Sequence, residues 1–365
     1  MEYRQLFRGK ENISTIGLGL GNIHISNDQT IEETIRYAIE NGINYFDLCG
    51  GRIGVYEAFG KVVSQQNRNK IYTQMHFGAV YKDDKYAFSR NLELIKSSFE
   101  KVLKISQLEY TDFGFIHCID EEDDFNDVMN NGLFDYVCEL KEKGIVKHIG
   151  ISTHTPAIAS KFMKTGKIDM FMFSINPAYD YNEGQYAYGS IDERQALYQE
   201  AQRLGIGISV MKAFAGGQLL DKDRSPLKIQ LSMYQCIQYV LDRPGVLTCL
   251  PGVTCVEDVK NILKFYELPS SQKDYSIINE LKNIGSLERC VYCNHCAPCP
   301  AGIDIGLVNK YYDLAINDDE RAGIHYQQLS KHAGDCLKCG HCNHRCTFHV
   351  QQKEKMEKIY HFFGI

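Results

Sequence analysis

Eight of the chain's 14 cysteines fall between Cys290 and Cys346. They form two arrays: Cys290-x2-Cys293-x2-Cys296-x2-Cys299, followed by Pro300, and Cys336-x2-Cys339-x2-Cys342-x3-Cys346. Three thiolates at this spacing wrap one face of an iron–sulfur cube, and in two-cluster proteins the displaced fourth cysteine ligates the other cube. The spacing therefore predicts one [4Fe–4S] cluster on Cys290, Cys293, Cys296 and Cys346, and a second on Cys336, Cys339, Cys342 and Cys299. A pair of zinc sites is the rival reading. Zinc takes four tetrahedral ligands, usually as two separated CxxC-like pairs, which four cysteines packed into one loop suit less well. The first array has x2 rather than x3 before its last cysteine, and Thr347 stands where a proline would follow the second; neither departure removes a ligand. His295, His341 and His344 lie among the cysteines and read as solvated loop residues, because the sulfur ligands are already complete.

The remainder of the chain bounds where such clusters could sit. Its 365 residues are 44% hydrophobic and 24% charged, as in a globular rather than a disordered protein. No apolar run reaches bilayer length, and the N-terminus has no apolar core after its charges, so neither a membrane span nor a secretory signal is expected. A net charge of −6 without a basic block argues against nucleic acid as partner. Dense cysteines without a secretion signal fit metal in a reducing cytoplasm.

Two kinds of segment alternate up to about residue 265. Short β-branched and aromatic runs read as buried parallel strands at 15–20, 43–47, 71–75, 111–116, 146–151, 170–175, 206–211 and 246–251. Helix-period stretches lie between them, with Gly42, Gly144 and Gly205 at helix-to-strand junctions where a C-terminal cap needs positive φ. Eight such repeats predict an α/β fold, a (β/α)8 TIM barrel, over residues 1–270. Residues 271–365 are expected to form a separate α-helical, ferredoxin-like unit, with helices at 275–284, 304–314 and 351–363.

In a (β/α)8 barrel the reacting groups stand at the C-terminal ends of the strands. Those ends carry His24, Asp47, Cys49, His76, His117, Asp120, Ser152, Thr153, His154, Asn176, Tyr179 and Lys212. Histidines facing an aspartate supply acid–base groups near neutral pH. His148 starts strand five, on the opposite face, and reads as structural.

GINYFD, FGFIH, IGIST, GIGISVMKAFAGG and LPGVTCVEDVKN, in this order, resemble the aldo/keto reductases. With its cysteine-rich addition, the chain resembles the branch fused to a two-cluster ferredoxin domain. The resemblance implies hydride transfer from a nicotinamide cofactor to a carbonyl by an Asp, Tyr, Lys and His set. Asp47 matches the aspartate and His117 the histidine, while His76 stands in the lysine's place and Arg52 or Ile53 in the tyrosine's. Tyr56, one helical turn on, is expected to belong to the second helix. Ser152, Asn176 and Lys212 match cofactor-binding positions, but the loop after strand eight lacks the arginine that pairs with a 2′-phosphate, leaving NAD and NADP both open. No motif specific for a flavin occurs, and the sequence leaves one open.

Eight intact cysteines beside an altered Tyr–Lys pair favour a low-potential reductase. Electrons would pass from the clusters to a small organic substrate at the barrel top, with His24, His76 and His117 supplying protons and a ferredoxin or flavodoxin as redox partner. An NAD(P)H-dependent carbonyl reductase with a variant tetrad is the second expectation. A non-enzymatic redox sensor or adaptor is the third, distinguished by a plugged rather than open barrel mouth.

Overall fold

The structure is a computed structural model and describes residues 1–184, 186–280, 290, 292–316, 320–346 and 350–365. The chain opens with an antiparallel hairpin, β1 (Tyr3–Gln5) and β2 (Asn12–Ser14). Alternating elements follow: β3 (Leu18–Gly19), α1 (Asp28–Glu40), β4 (Tyr45–Leu48), α2 (Gly54–Val63), β5 (Tyr72–Phe77), a second hairpin of β6 (Ala79–Lys82) and β7 (Lys85–Phe88), α3 (Leu92–Ile105) and β8 (Thr111–Ile116). Next come α4 (Glu122–Asn130), α5 (Leu133–Glu142), β9 (Val146–Thr153), α6 (Pro156–Lys164), β10 (Met170–Ser174), α7 (Pro177–Asp180) and α8 (Ile191–Leu204). β11 (Gly207–Met211), α9 (Met233–Leu241), β12 (Val246–Cys249) and α10 (Val256–Leu263) complete the repeats.

Strands β3, β4, β5, β8, β9, β10, β11 and β12 pair in that order, every pair parallel. Bridges from Ile16 to Cys249 and from Gly19 to Gly252 bring the last strand against the first. The α/β sheet is thus a nearly closed eight-stranded barrel, as the alternating runs predict. Its interior is filled by Tyr45, Phe113, Phe115, Met170, Met172 and Leu247. A Cβ on Gly150 would lie 2.2 Å from the Phe115 ring, so the absence of a side chain there lets that ring occupy the interior. The larger apolar layer lies between the strands and the surrounding helices.

The N-terminal hairpin, absent from the sequence expectation, plugs the bottom of the barrel. Leu6 and Ile13 join the interior cluster, and the Arg4 guanidinium donates to the carbonyls of Leu241 and Val246. Strands of three residues are too short to announce themselves by periodicity.

Beyond the barrel, the described residues form α11 (Ile305–Ala315), α12 (Glu320–Gln327), α13 (His341–Arg345) and α14 (Gln352–Phe363). The helix expected at 275–284 is corrected in part: Ser276–Glu280 is a 3-10 turn, and 281–284 lie outside the described residues, as does Thr347. Ile303, Val308, Tyr326, Met356 and Ile359 give this unit its own small core. It meets the barrel where α11 packs on α8, where Tyr275 donates to Asp242, and where Gln235 donates to the Asp274 carbonyl.

His148 sits at the barrel bottom, as its position in β9 requires. Its Nε2 lies 3.0 Å from Glu11 of the hairpin loop and its Nδ1 3.5 Å from Asp169. Burial alone would lower its pKa, but the hydrogen bonds and charges of Asp169 and Glu11 override that and raise it, while both carboxylates are lowered. A base whose folded pKa is raised contributes stability below its unfolded value of about 6.5 and loses it as pH climbs through the folded value. His148→Gln should therefore cost about 2 kcal/mol near pH 6 and much less at pH 9, read by chemical denaturation at both values. An equal loss at both would mean that the imidazolium contributes nothing.

Candidate active site and cysteine sets

The C-terminal strand ends converge on one chain of hydrogen bonds. Asp47, buried at the end of β4, has its Oδ1 2.7 Å from His76 Nε2. Gln74 Nε2 donates to the same oxygen at 3.0 Å, and its Oε1 accepts from Tyr45 and Ser209 inside the barrel. His76 Nδ1 faces His117 Nδ1 at 3.0 Å, the two rings nearly perpendicular at 88°. His117 Nε2 lies 2.8 Å from the hydroxyl of Tyr86. With Asp47 as carboxylate, one assignment pairs every link: His76 Nε2–H donates to Asp47, His117 Nδ1–H to His76, and Tyr86 O–H to His117. Burial first, then the nearby His76 and Arg90, holds His117 well below the usual imidazole pKa, in keeping with a neutral ring.

Asp47, His76 and His117 meet as their positions at the strand ends predict, whereas Tyr86 joins them from outside the repeating strand–helix pattern. That residue comes from β7 of the second hairpin, whose turn residues Asp83 and Asp84 both have positive φ (48° and 63°). The signal was present in YKDDKY, a turn pair flanked by aromatic and basic residues that alternate like strands. Arg52, which with Ile53 was a candidate for the tyrosine's place, pairs with Asp28 at 2.6 Å and donates to the His24 and Ser26 carbonyls. Tyr56 lies in α2, as expected, and donates to the Leu48 carbonyl. An open cleft of about 730 Å³ runs over the mouth, with Asn22, His24, Cys49, Asp84, Tyr86 and His117 on its wall.

Over β8 to β11 the mouth is more occupied. Cys118 and Lys212 both have positive φ (49° and 59°), strained backbone of the kind functional sites retain. Asp120 accepts from Thr153 Oγ1 and from the His154 backbone, and faces His154 Nδ1 at 2.9 Å. The His154 ring stacks on Tyr186, and Lys212 Nζ sits 3.1 Å above the same tyrosine. Ser152 Oγ accepts from the Cys118 amide. Asn176 donates to the Lys212 carbonyl and accepts from Tyr179 N–H as the cap of α7. Of the three positions expected to hold a cofactor, Asn176 is thus engaged at both ends of its amide. This short-range capping was not read from the sequence.

The eight C-terminal cysteines fall into two neighbourhoods that meet at Cys342. Cys299, Cys336, Cys339 and Cys342 line one apolar cavity with Pro300 and Met356. Cys296 has Cys290, Cys293, Cys346 and Cys342 as electrostatic neighbours. At the barrel mouth, Cys49, His76 and His117 offer ligand atoms within 4.8 Å of one another, as do Cys118, Asp120 and His154. Cys293 and Cys346 pack against the barrel's core, whereas Cys339 and the neighbouring Leu337 are exposed. Between the first set and the mouth runs the segment after β10. Buried Tyr181 has Cys293 as an electrostatic neighbour, and Tyr179 lies 6.3 Å from Tyr186, ring to ring.

An acid–base constellation at the C-terminal end of a (β/α)8 barrel defines the class of protein. Residues 15–231 match the aldo/keto reductase family, and the chain belongs to it; it is an oxidoreductase. An uncharacterized oxidoreductase of Bacillus subtilis (strain 168), YqkF, is 23% identical over 281 residues, 71% of this chain and 89% of that one. The fold is shared with the holo form of the aldo-keto reductase AKR11C1 from Bacillus halodurans, with a TM-score of 0.61 at 20% identity over 77% of this chain and 96% of that one. It is shared too with the thermostable aldo-keto reductase Tm1743 bound to the inhibitor epalrestat, with a TM-score of 0.56 at 20% identity over 77% of this chain and all of that one. Among the described residues no helix is long and apolar enough to cross a membrane.

Lys212 gives the mouth a testable property. Burial lowers its ammonium pKa to about 8, against smaller opposing effects of Cys118 and Asp120. Acylation of full-length protein with a small amine reagent, followed by peptide mass spectrometry, should show Lys212 reacting with a midpoint near pH 8. A midpoint above pH 10, as for exposed lysines, would contradict the burial.

Proposed function

We propose that the chain reduces a small organic substrate at the barrel mouth with low-potential electrons delivered through two [4Fe–4S] clusters. The observation that carries the reading is the grouping of the cysteines. Cys299 joins three cysteines of the second array, and Cys346 joins three of the first with Cys342 also near, in keeping with the exchanged fourth ligand of two-cluster ferredoxins. When bound, such clusters supply single electrons at potentials that reach well below that of nicotinamide.

The protein's own residues would then do three things. Cys336, Cys339, Cys342 and Cys299 hold the outer cluster behind an exposed apolar edge at Leu337, where a ferredoxin- or flavodoxin-like partner can approach. Cys290, Cys293, Cys296 and Cys346 hold the inner one against the barrel, beside Tyr181. At the cleft, Tyr86 presents a phenol to the substrate, with His117, His76 and Asp47 fixing its orientation and exchanging its proton. The open cleft favours this over a redox sensor or adaptor with a filled mouth.

A second reading, hydride transfer from NAD(P)H to a carbonyl, is favoured by the family match and by Ser152 and Lys212 at the ends of β9 and β11. It shares Tyr86 as the proton donor.

Under anaerobic conditions, reduced ferredoxin or a reduced viologen should sustain turnover that NAD(P)H alone does not. Cys293→Ser and Cys339→Ser should each abolish it, and undiminished activity in both would overturn the electron route. Tyr86→Phe should lower kcat by about 10²- to 10⁴-fold with little change in KM, under either electron source.

A further inference from the structure

We propose that Cys49, His76 and His117 form a three-ligand site for a divalent transition metal of the zinc class, its fourth position open to the cleft. The site is separate from the eight C-terminal cysteines and does not depend on the source of electrons.

One ligand atom from each residue lies within 4.8 Å of the other two. The histidine atoms are identified by elimination. His76 Nε2 is turned to Asp47 at 2.7 Å and His117 Nε2 to Tyr86 at 2.8 Å, which leaves the two Nδ1 atoms facing each other at 3.0 Å. Tetrahedral zinc with Zn–N of about 2.05 Å sets two nitrogens roughly 3.3 Å apart, so a few tenths of an ångström of ring movement admits the ion. One thiolate and two imidazoles suit zinc-like ions, and three protein ligands beside an open cleft are the pattern of a catalytic rather than a structural site.

The surrounding groups are those that a metal-bound imidazole uses. A ligating histidine donates its outer N–H to a carboxylate or another acceptor, which fixes its tautomer. Asp47 takes that place behind His76, itself held by Gln74, and the Tyr86 oxygen takes it behind His117. The other close trio, Cys118, Asp120 and His154, differs in that both Asp120 oxygens are already engaged by Thr153 and His154.

Metal binding would also change what Tyr86 can do. Without metal, the phenol proton points at His117 Nε2. With metal on both Nδ1 atoms, the imidazole protons sit on Nε2, Tyr86 accepts from His117, and its own O–H is freed toward the cleft. The ion displaces the Cys49 thiol proton to solvent and, as a Lewis acid, polarises a substrate oxygen at the open position, without electron transfer of its own.

The test is titration of the full-length, anaerobically purified protein with Co²⁺. The expected result is a one-equivalent difference spectrum with a sulfur-to-cobalt charge-transfer band and tetrahedral d–d bands. That spectrum should be lost in Cys49→Ser and retained in Cys118→Ser. Asp47→Asn should weaken Co²⁺ binding about 10- to 100-fold. Zn²⁺ should raise the wild-type Tm, a readout that needs no variant to fold. A wild-type protein with no such band and no Tm shift, or a band that persists in Cys49→Ser, would overturn the proposal.

Discussion

The buried Asp47 carboxylate is the constraint around which the barrel mouth is built. A carboxylate removed from water needs hydrogen-bond donors, and each hydrogen bond to a charged group contributes about 1.5–3 kcal/mol. Gln74 and His76 from β5 supply two, both at Oδ1. Each then has a second end to satisfy. Gln74 turns its carbonyl to Tyr45 and Ser209, tying the site to the packed interior. His76 turns to His117, and His117 to Tyr86. One buried charge thus determines the orientation of four side chains contributed by β5, the loop after β8 and a hairpin. It also explains how a chain without the family's usual tyrosine and lysine positions can still set a phenol over its cleft.

The cysteine-rich unit imposes a second ordering. Cys293 and Cys346 of one set pack against the large apolar core, whereas Cys339 of the other is exposed, so the two positions are not equivalent. The segment after β10 begins at the mouth with Asn176, passes Tyr179 and reaches Tyr181 near Cys293. It is held by a buried network in which Asp180 pairs with Arg194 at 2.7 Å and accepts from Tyr198 and Tyr239. Removing one partner of a buried ion pair typically costs 3–5 kcal/mol, so this path is a rigid one.

Much of this was legible in the sequence because it follows from periodicity and spacing. The barrel declared itself through apolar runs alternating with amphipathic stretches, and Gly42, Gly144 and Gly205 do adopt positive φ at 90°, 73° and 66°. Asp47, His76 and His117 could be placed together because strand ends in a parallel barrel share one face. Tyr86 escaped because it lies on a hairpin inserted between β5 and α3, outside the repeating unit, where only local turn chemistry announces structure. The N-cap bond that Asn176 accepts and the bond it donates to the Lys212 carbonyl were not legible either. Such short-range satisfaction of polar groups depends on backbone geometry that side-chain pattern does not encode.

The measurement that bears most directly on the account is the iron and acid-labile sulfide content of the anaerobically purified protein, read with its visible spectrum. The account predicts about eight of each per chain and a broad charge-transfer absorbance that bleaches on reduction. Stoichiometric zinc in their place, with no sulfide and no visible absorbance, would contradict it.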